Sequence, residues 1–198
     1  DGIAVNTAAP LGVSGQWLLD PYDIVINTGG AHYTNNSGTF TSNDVCFTVG
    51  SVCSSYIDHT VLESALNSGN VKVQSSAGYN ITIQGDGTVT TNSSNTLTYQ
   101  SGGNIQFNYD SPNYPGGVNG ANLNLVLQAT GTITQNAPLT VRSVTASGVS
   151  FAGSGSMSLG TGGISITQTG NSTFSGNISG SNAVLTKGGG GTLTLSEI

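Results

Sequence analysis

The chain has 198 residues, with three Lys or Arg against nine Asp or Glu, and only 6% of its residues are charged, where an average soluble domain carries about a quarter. So few basic groups exclude nucleic acid as a partner, since phosphate neutralisation needs several Lys or Arg in one patch, and they exclude electrostatic docking on anionic lipid. The polarity comes from Ser, Thr, Asn and 30 Gly rather than from charge, so the composition of a disordered chain is only half met.

No basic-then-apolar leader opens the chain at Asp1, and no apolar run approaches the roughly 20 residues of a membrane span. The last residues, Leu193 to Ile198, stop within a strand-like pattern, as a piece of a longer chain would. Residues 1–60 form a first region, read as a strand, an insertion and a possible cap. It holds Trp17, the histidines His32 and His59, and a Gly/Asn/Thr-rich stretch from Gly29 to Asp44. Cys46 and Cys53 stand at C-x6-C, and neither histidine completes a zinc pattern. A disulfide between them is expected over two free thiols. By loop entropy it would add about 2–3 kcal/mol and suit an oxidising, extracytoplasmic setting.

Thr60 to Leu66 is the one helix-like stretch. Apolar residues at 61, 62, 65 and 66 fit one helical face, Thr60 with Glu63 reads as a capping box, and Asn67-Ser68-Gly69 ends the helix. Residues 61–198 form a second, monotonous region. Runs such as Val71-Lys72-Val73, Ile81-Thr82-Ile83, Leu97-Thr98-Tyr99, Ile105-Gln106-Phe107, Leu123 to Leu127, Leu139-Thr140-Val141, Val149-Ser150-Phe151, Met157-Ser158-Leu159, Ile164-Ser165-Ile166 and Leu193-Thr194-Leu195 are apolar at i and i+2. That is the period of a strand with one buried face. Gly, Asn and Ser clusters between them supply turns. Asp110 to Gly117, with two prolines, is an extra loop near 110–120, because proline is barred from central strands.

The class is therefore all-β. Three strands with their turns make a repeat-sized unit of about 20–30 residues, which suits a right-handed parallel β-helix, a solenoid whose coils bury one another's faces, with residues 1–60 as an irregular, disulfide-bearing insertion or cap. A β-sandwich shows the same alternation and is the alternative. The short strands and the near-absence of Lys and Glu on the outer positions favour the solenoid.

Two segments carry a resemblance. Gly15-Gln16-Trp17-Leu18-Leu19-Asp20-Pro21-Tyr22-Asp23-Ile24, with Val61 to Val73 after it, resembles a stretch of filamentous-haemagglutinin-like adhesins. Phe174-Ser175-Gly176-Asn177-Ile178-Ser179-Gly180, then Leu185-Thr186-Lys187 through Gly191-Thr192-Leu193-Thr194-Leu195, resembles the autotransporter-associated β-strand repeat. The resemblance implies a parallel β-helix in the passenger of a type V secreted protein, exposed on a Gram-negative surface or released from it. It implies a structural stalk with a binding or self-association surface, and it supplies no catalytic residue. Whether export is by autotransport or by two-partner secretion stays open.

The chemistry of the remaining residues is sparse. Polysaccharide-degrading enzymes, lyases or hydrolases, also use β-helices, and this is the alternative function. A hydrolase needs carboxylates about 5–9.5 Å apart, and Asp86 and Asp110 lie about one coil apart in sequence, but the better reading of both is as turn residues, as it is of Asp20 and Asp23. Asp58-His59 lacks a nucleophile-elbow serine, and Gly188 to Gly191 lacks the Lys-Ser/Thr of a phosphate loop. A lone Lys187 reads as solvated or lying over carbonyl ends. No catalytic residue, metal ligand or cofactor is assigned.

Binding is the better expectation, through exposed aromatic residues on loops. The candidates are His32, Tyr33 and Phe40 in the first region and Tyr109, Asp110 and Tyr114 in the extra loop, with local packing as the other reading of each. The expected partners are a host-cell or extracellular-matrix glycan or protein, or a second copy of the chain. Asn35, Asn80, Asn92, Asn171 and Asn177 open N-x-[ST] patterns, which a chain of this composition produces by chance.

Overall fold

The computed structural model describes residues 23–28 and 54–196. These form β1 (Asp23–Asn27), β2 (Ser54–Asp58), α1 (His59–Ser68), β3 (Val71–Ala77), β4 (Ile81–Ile83), β5 (Val89–Thr90), β6 (Thr96–Gly102), β7 (Ile105–Phe107) and β8 (Val118–Ala129). The chain continues through β9 (Thr132–Gln135), β10 (Leu139–Gly148), β11 (Ser150–Ala152), β12 (Met157–Gln168), β13 (Ser172–Phe174), β14 (Ile178–Ser179), β15 (Leu185–Gly188) and β16 (Leu193–Leu195). The class is all-β, and its sheets are parallel.

One sheet has the order β11-β9-β7-β4-β1-β2 and a second the order β14-β12-β10-β8-β6-β3, with β5 on β8 and β15 on β12, while β13 and β16 pair separately. Every pairing between these strands is parallel. Among the described residues antiparallel pairing occurs only at the isolated Ser111–Tyr114 bridge. This corrects the sandwich alternative, which is built from antiparallel sheets. Neighbours in a sheet are never consecutive hairpin strands, except where β1 and β2 follow each other in the described chain, because the turns lead out of the sheet rather than back along it.

The alternation becomes columns. Val71, Leu97, Leu125, Val144, Ile164 and Leu185 are register partners from strand to strand. The first five are fully buried. In the other sheet Ile24, Ile81, Ile105, Ile133 and Phe151 form the matching inner column. Each such side chain contributes roughly 1.5–3 kcal/mol on full burial, and each rests on the equivalent residue of the next strand. Residues between them, such as Lys72, Thr98 and Thr145, stay partly or fully exposed.

Polar ladders run beside the apolar columns. Asp23 Oδ1 accepts from the backbone N–H of Asn80 at 2.6 Å. Asn80 Oδ1 accepts from the N–H of Asn104 at 2.8 Å, and Asn104 Oδ1 accepts from that of Thr132 at 2.8 Å. The second bond spans 24 residues and the third 28, each the length of one repeat-sized unit, while the first spans 57. The turn residues thus supply partners to backbone donors that sheet pairing leaves unpaired.

Helix α1 covers the β3 end, burying Leu62, Ala65 and Leu66. Its N-cap differs from the expected capping box. Asp58, not Thr60, occupies the cap, and its carboxylate accepts from the Thr60 N–H at 2.8 Å and the Thr60 hydroxyl at 2.6 Å. Glu63 instead bonds the Thr90 N–H at 2.7 Å, 27 residues away, and His59 Nδ1 at 2.9 Å. The helix end is also tied to the connection between β5 and β6, since Ser93 Oγ and Asn95 Nδ2 both donate to the Leu66 carbonyl at 2.7 Å.

Candidate functional site

The segment 108–117 leaves the sheets between β7 and β8 and returns as a tight turn. Pro112 and Pro115 prevent ladder pairing there. The Tyr114 carbonyl accepts from the N–H of Asp110 at 3.2 Å and of Ser111 at 3.3 Å, and the Tyr114 N–H donates to the Ser111 carbonyl at 3.0 Å. Two further bonds fasten the turn to the segment between β4 and β5. The Gly85 N–H donates to Asp110 Oδ2 at 3.1 Å, and the Gly116 N–H donates to the Gly85 carbonyl at 2.7 Å. Gly85 lies so close to Asp110 that a Cβ on it would overlap the carboxylate. Gly116 has φ of 63° and presses against the Asn108 carbonyl, so it needs the left-handed region that glycine enters without strain.

On this fastened turn the side chains of Tyr109 and Tyr114 are 47% and 56% exposed. A Tyr ring left in water forgoes its burial energy, and nothing in the turn's own hydrogen bonding uses either phenol. Asp110 is also exposed and keeps its second oxygen, Oδ1, outside the bond to Gly85. The turn therefore brings together three of the six binding candidates. His32, Tyr33 and Phe40 lie outside the described residues, as do Cys46, Cys53, Asp20 and Asn35.

The remaining candidates resolve individually. Asp86 sits beside Gly85, so the Gly85–Asp110 bond does bring the segments of Asp86 and Asp110 together, but the Asp110 carboxylate serves a backbone donor. Among the described residues no three His, Cys, Asp or Glu side chains converge as a metal site. His59 bonds Glu63 and Asp58 caps the helix, so both are engaged in holding α1. Lys187 Nζ lies over the carbonyls of Gly188 and Gly189. Its register partner is the buried Ile166, which puts Lys187 at an inward position of the last strand in its column. Asn80 and Asn171 spend their amide oxygens on the backbone N–H groups of Asn104 and Thr192.

Two features lay outside the sequence reading. The first is the β14–β16 end, where Val184 is 66% and Leu185 39% exposed beside a cleft of about 220 Å³ lined by Leu159, Ile164, Ile178 and Leu195, among others. The run Ala183-Val184-Leu185 was the available signal. The second is Tyr99, fully buried with its hydroxyl unpartnered. Burial pushes its phenol well above the ordinary tyrosine range. Nothing in the pattern Leu97-Thr98-Tyr99 distinguishes a tyrosine with a partner from one without.

Comparison with protein-family models, with curated proteins and with solved structures finds no match.

Proposed function

We propose that this chain is a segment of a secreted or cell-surface adhesin, wound as a right-handed parallel β-helix, which serves as a stiff stalk and presents a binding or self-association surface. The observation that carries the reading is the succession of parallel register columns, in which Val71, Leu97, Leu125, Val144, Ile164 and Leu185 follow one another at repeat-sized offsets. Parallel connections of this kind are right-handed in nearly all proteins, and the sequence stretches around Trp17 and Lys187 resemble surface adhesins built this way.

The mechanism is mechanical. Stacked apolar columns and Asn ladders give rigidity along the stack, and the turns project away from it. The outer face carries little charge, with Lys72, Thr98, Val126, Thr145, Ser165 and Thr186 in one outward column and Gln74, Gln100 and Gln128 in another. Hydroxyls and amides both donate and accept, so such a face pairs with a glycan, a protein or a second copy without charge repulsion. Among the described residues no helix is long and apolar enough to cross a membrane.

Beads coated with the purified chain, offered to epithelial cells, to extracellular-matrix proteins and to one another, test the reading. Saturable adhesion or bead clustering, absent from beads coated with an unrelated protein, is the expected result. Beads that neither adhere nor cluster overturn it.

A further inference from the structure

We infer that the turn 108–117 is a recognition site for a neutral glycan, with Tyr109 and Tyr114 as its aromatic contacts and Asp110 as a hydroxyl acceptor. The inference deepens the adhesin reading and rests on it for biological context.

Four observations converge. The turn is rigid before any ligand arrives, because Tyr114 is bonded to Asp110 and Ser111 through the backbone, while Asp110 and Gly116 are bonded to Gly85 in the segment between β4 and β5. Preorganisation of this kind lowers the entropy lost on binding. Next, the two tyrosines are about half exposed on that rigid support, and tyrosine offers a large contact area with few rotatable bonds. The negative face of its ring attracts weakly positive groups such as the C–H bonds of a pyranose.

Third, Asp110 has one carboxylate oxygen held by Gly85 and the other, Oδ1, outside that bond. A carboxylate oxygen is a strong acceptor for sugar hydroxyls, and its fixed partner keeps the group oriented. Asn113, also exposed, adds an amide donor and acceptor beside it. Finally, charge decides the class of glycan. Asp110 is the single charged residue in 108–117, no Lys, Arg or His lies in the segment, and the chain carries a net charge of −6. A sialylated, sulfated or uronate-bearing sugar would meet a like charge without a cation to offset it. A neutral hexose or N-acetylhexosamine would not.

The test is an array of lactose, cellobiose, N-acetyllactosamine and chitobiose conjugates, printed beside sialylated and sulfated counterparts. It is probed with the wild-type chain and with Tyr109→Ala, Tyr114→Ala and Tyr114→Phe. The expected result is binding to at least one neutral conjugate, weaker binding to its anionic counterpart, at least a tenfold loss in either alanine variant and retention in Tyr114→Phe. Circular dichroism of each variant checks that the sheets are intact, and the exposure of both rings predicts that they are. Three results overturn the inference: no neutral conjugate is bound, anionic conjugates are preferred, or both alanine variants bind as the wild type does. Coated-bead adhesion that survives in the alanine variants would leave the adhesin reading standing while this site fails. Loss of all bead adhesion alongside intact glycan binding would do the opposite.

Discussion

Replacing Tyr99 by phenylalanine is expected to stabilise the protein. The Tyr99 ring is fully buried, with its centroid 6.0 Å from that of Phe107 and the rings inclined at 69°. That edge-to-face contact belongs to the ring and survives the substitution. The hydroxyl has no hydrogen-bond partner, and an unsatisfied buried polar group costs about 1–3 kcal/mol. Removing one oxygen forfeits only a few dispersion contacts of about 0.1–0.2 kcal/mol each. Tyr99→Phe should therefore raise stability by roughly 1–2 kcal/mol, which for a chain of this size corresponds to a melting midpoint higher by about 2–8 °C.

The pH dependence follows from the same burial. The folded-state phenol titrates above its unfolded value, so the folded form holds its proton where the unfolded chain releases it. The stability linked to this group is fully present below pH of about 10 and declines above it, by up to about 1.4 kcal/mol per pH unit, until the folded-state phenol itself ionises. Urea titrations followed by circular dichroism at pH 7 and at alkaline pH measure both effects. Tyr99→Phe should shift the midpoint upward at pH 7 and flatten the alkaline decline. A loss of 1 kcal/mol or more at pH 7 refutes the reasoning, because it would mean that the hydroxyl has a partner inside the core.

Two further substitutions probe the ladder and the cap. Asn104→Ala removes the acceptor for the Thr132 N–H and the donor to Asn80, and should cost about 2–3 kcal/mol, read as a lower urea midpoint with faster amide exchange at Thr132. Asp58→Ala should cost about 1 kcal/mol through the lost N-cap, whereas Thr60→Ala, which keeps the backbone bond to Asp58, should cost less; equal losses in the same denaturation assay would contradict the assignment of the cap.

Much of the strand content was legible. Val71-Lys72-Val73, Ile81-Thr82-Ile83 and Ile105-Gln106-Phe107 all fall on strands with the apolar positions buried, because period-2 alternation is a local property. The strand β9 was not legible, since its inward positions are Ile133 and Gln135. A buried glutamine breaks the apolar pattern, and only its place after Ile26, Ile83 and Phe107 in one register column makes it inward. Val149 erred the other way. It reads as the partner of Phe151 but is exposed, because the strand begins at Ser150.

The candidate site divides similarly. Two prolines announced the turn at 110–117 from local sequence alone, and the aromatic residues Tyr109 and Tyr114 expected to be exposed there are so. That Asp110 bonds Gly85, and that Glu63 reaches Thr90 instead of completing a capping box, depends on groups 25 and 27 residues away. The sequence by itself determined which faces are apolar, where the chain must turn and how little charge it carries, for these follow from side-chain chemistry at short range. The tertiary structure decided that the strands pair in parallel, which residues share a column and which polar atoms find partners. Those outcomes depend on register between strands a full repeat apart, and residue spacing within one strand carries no record of it.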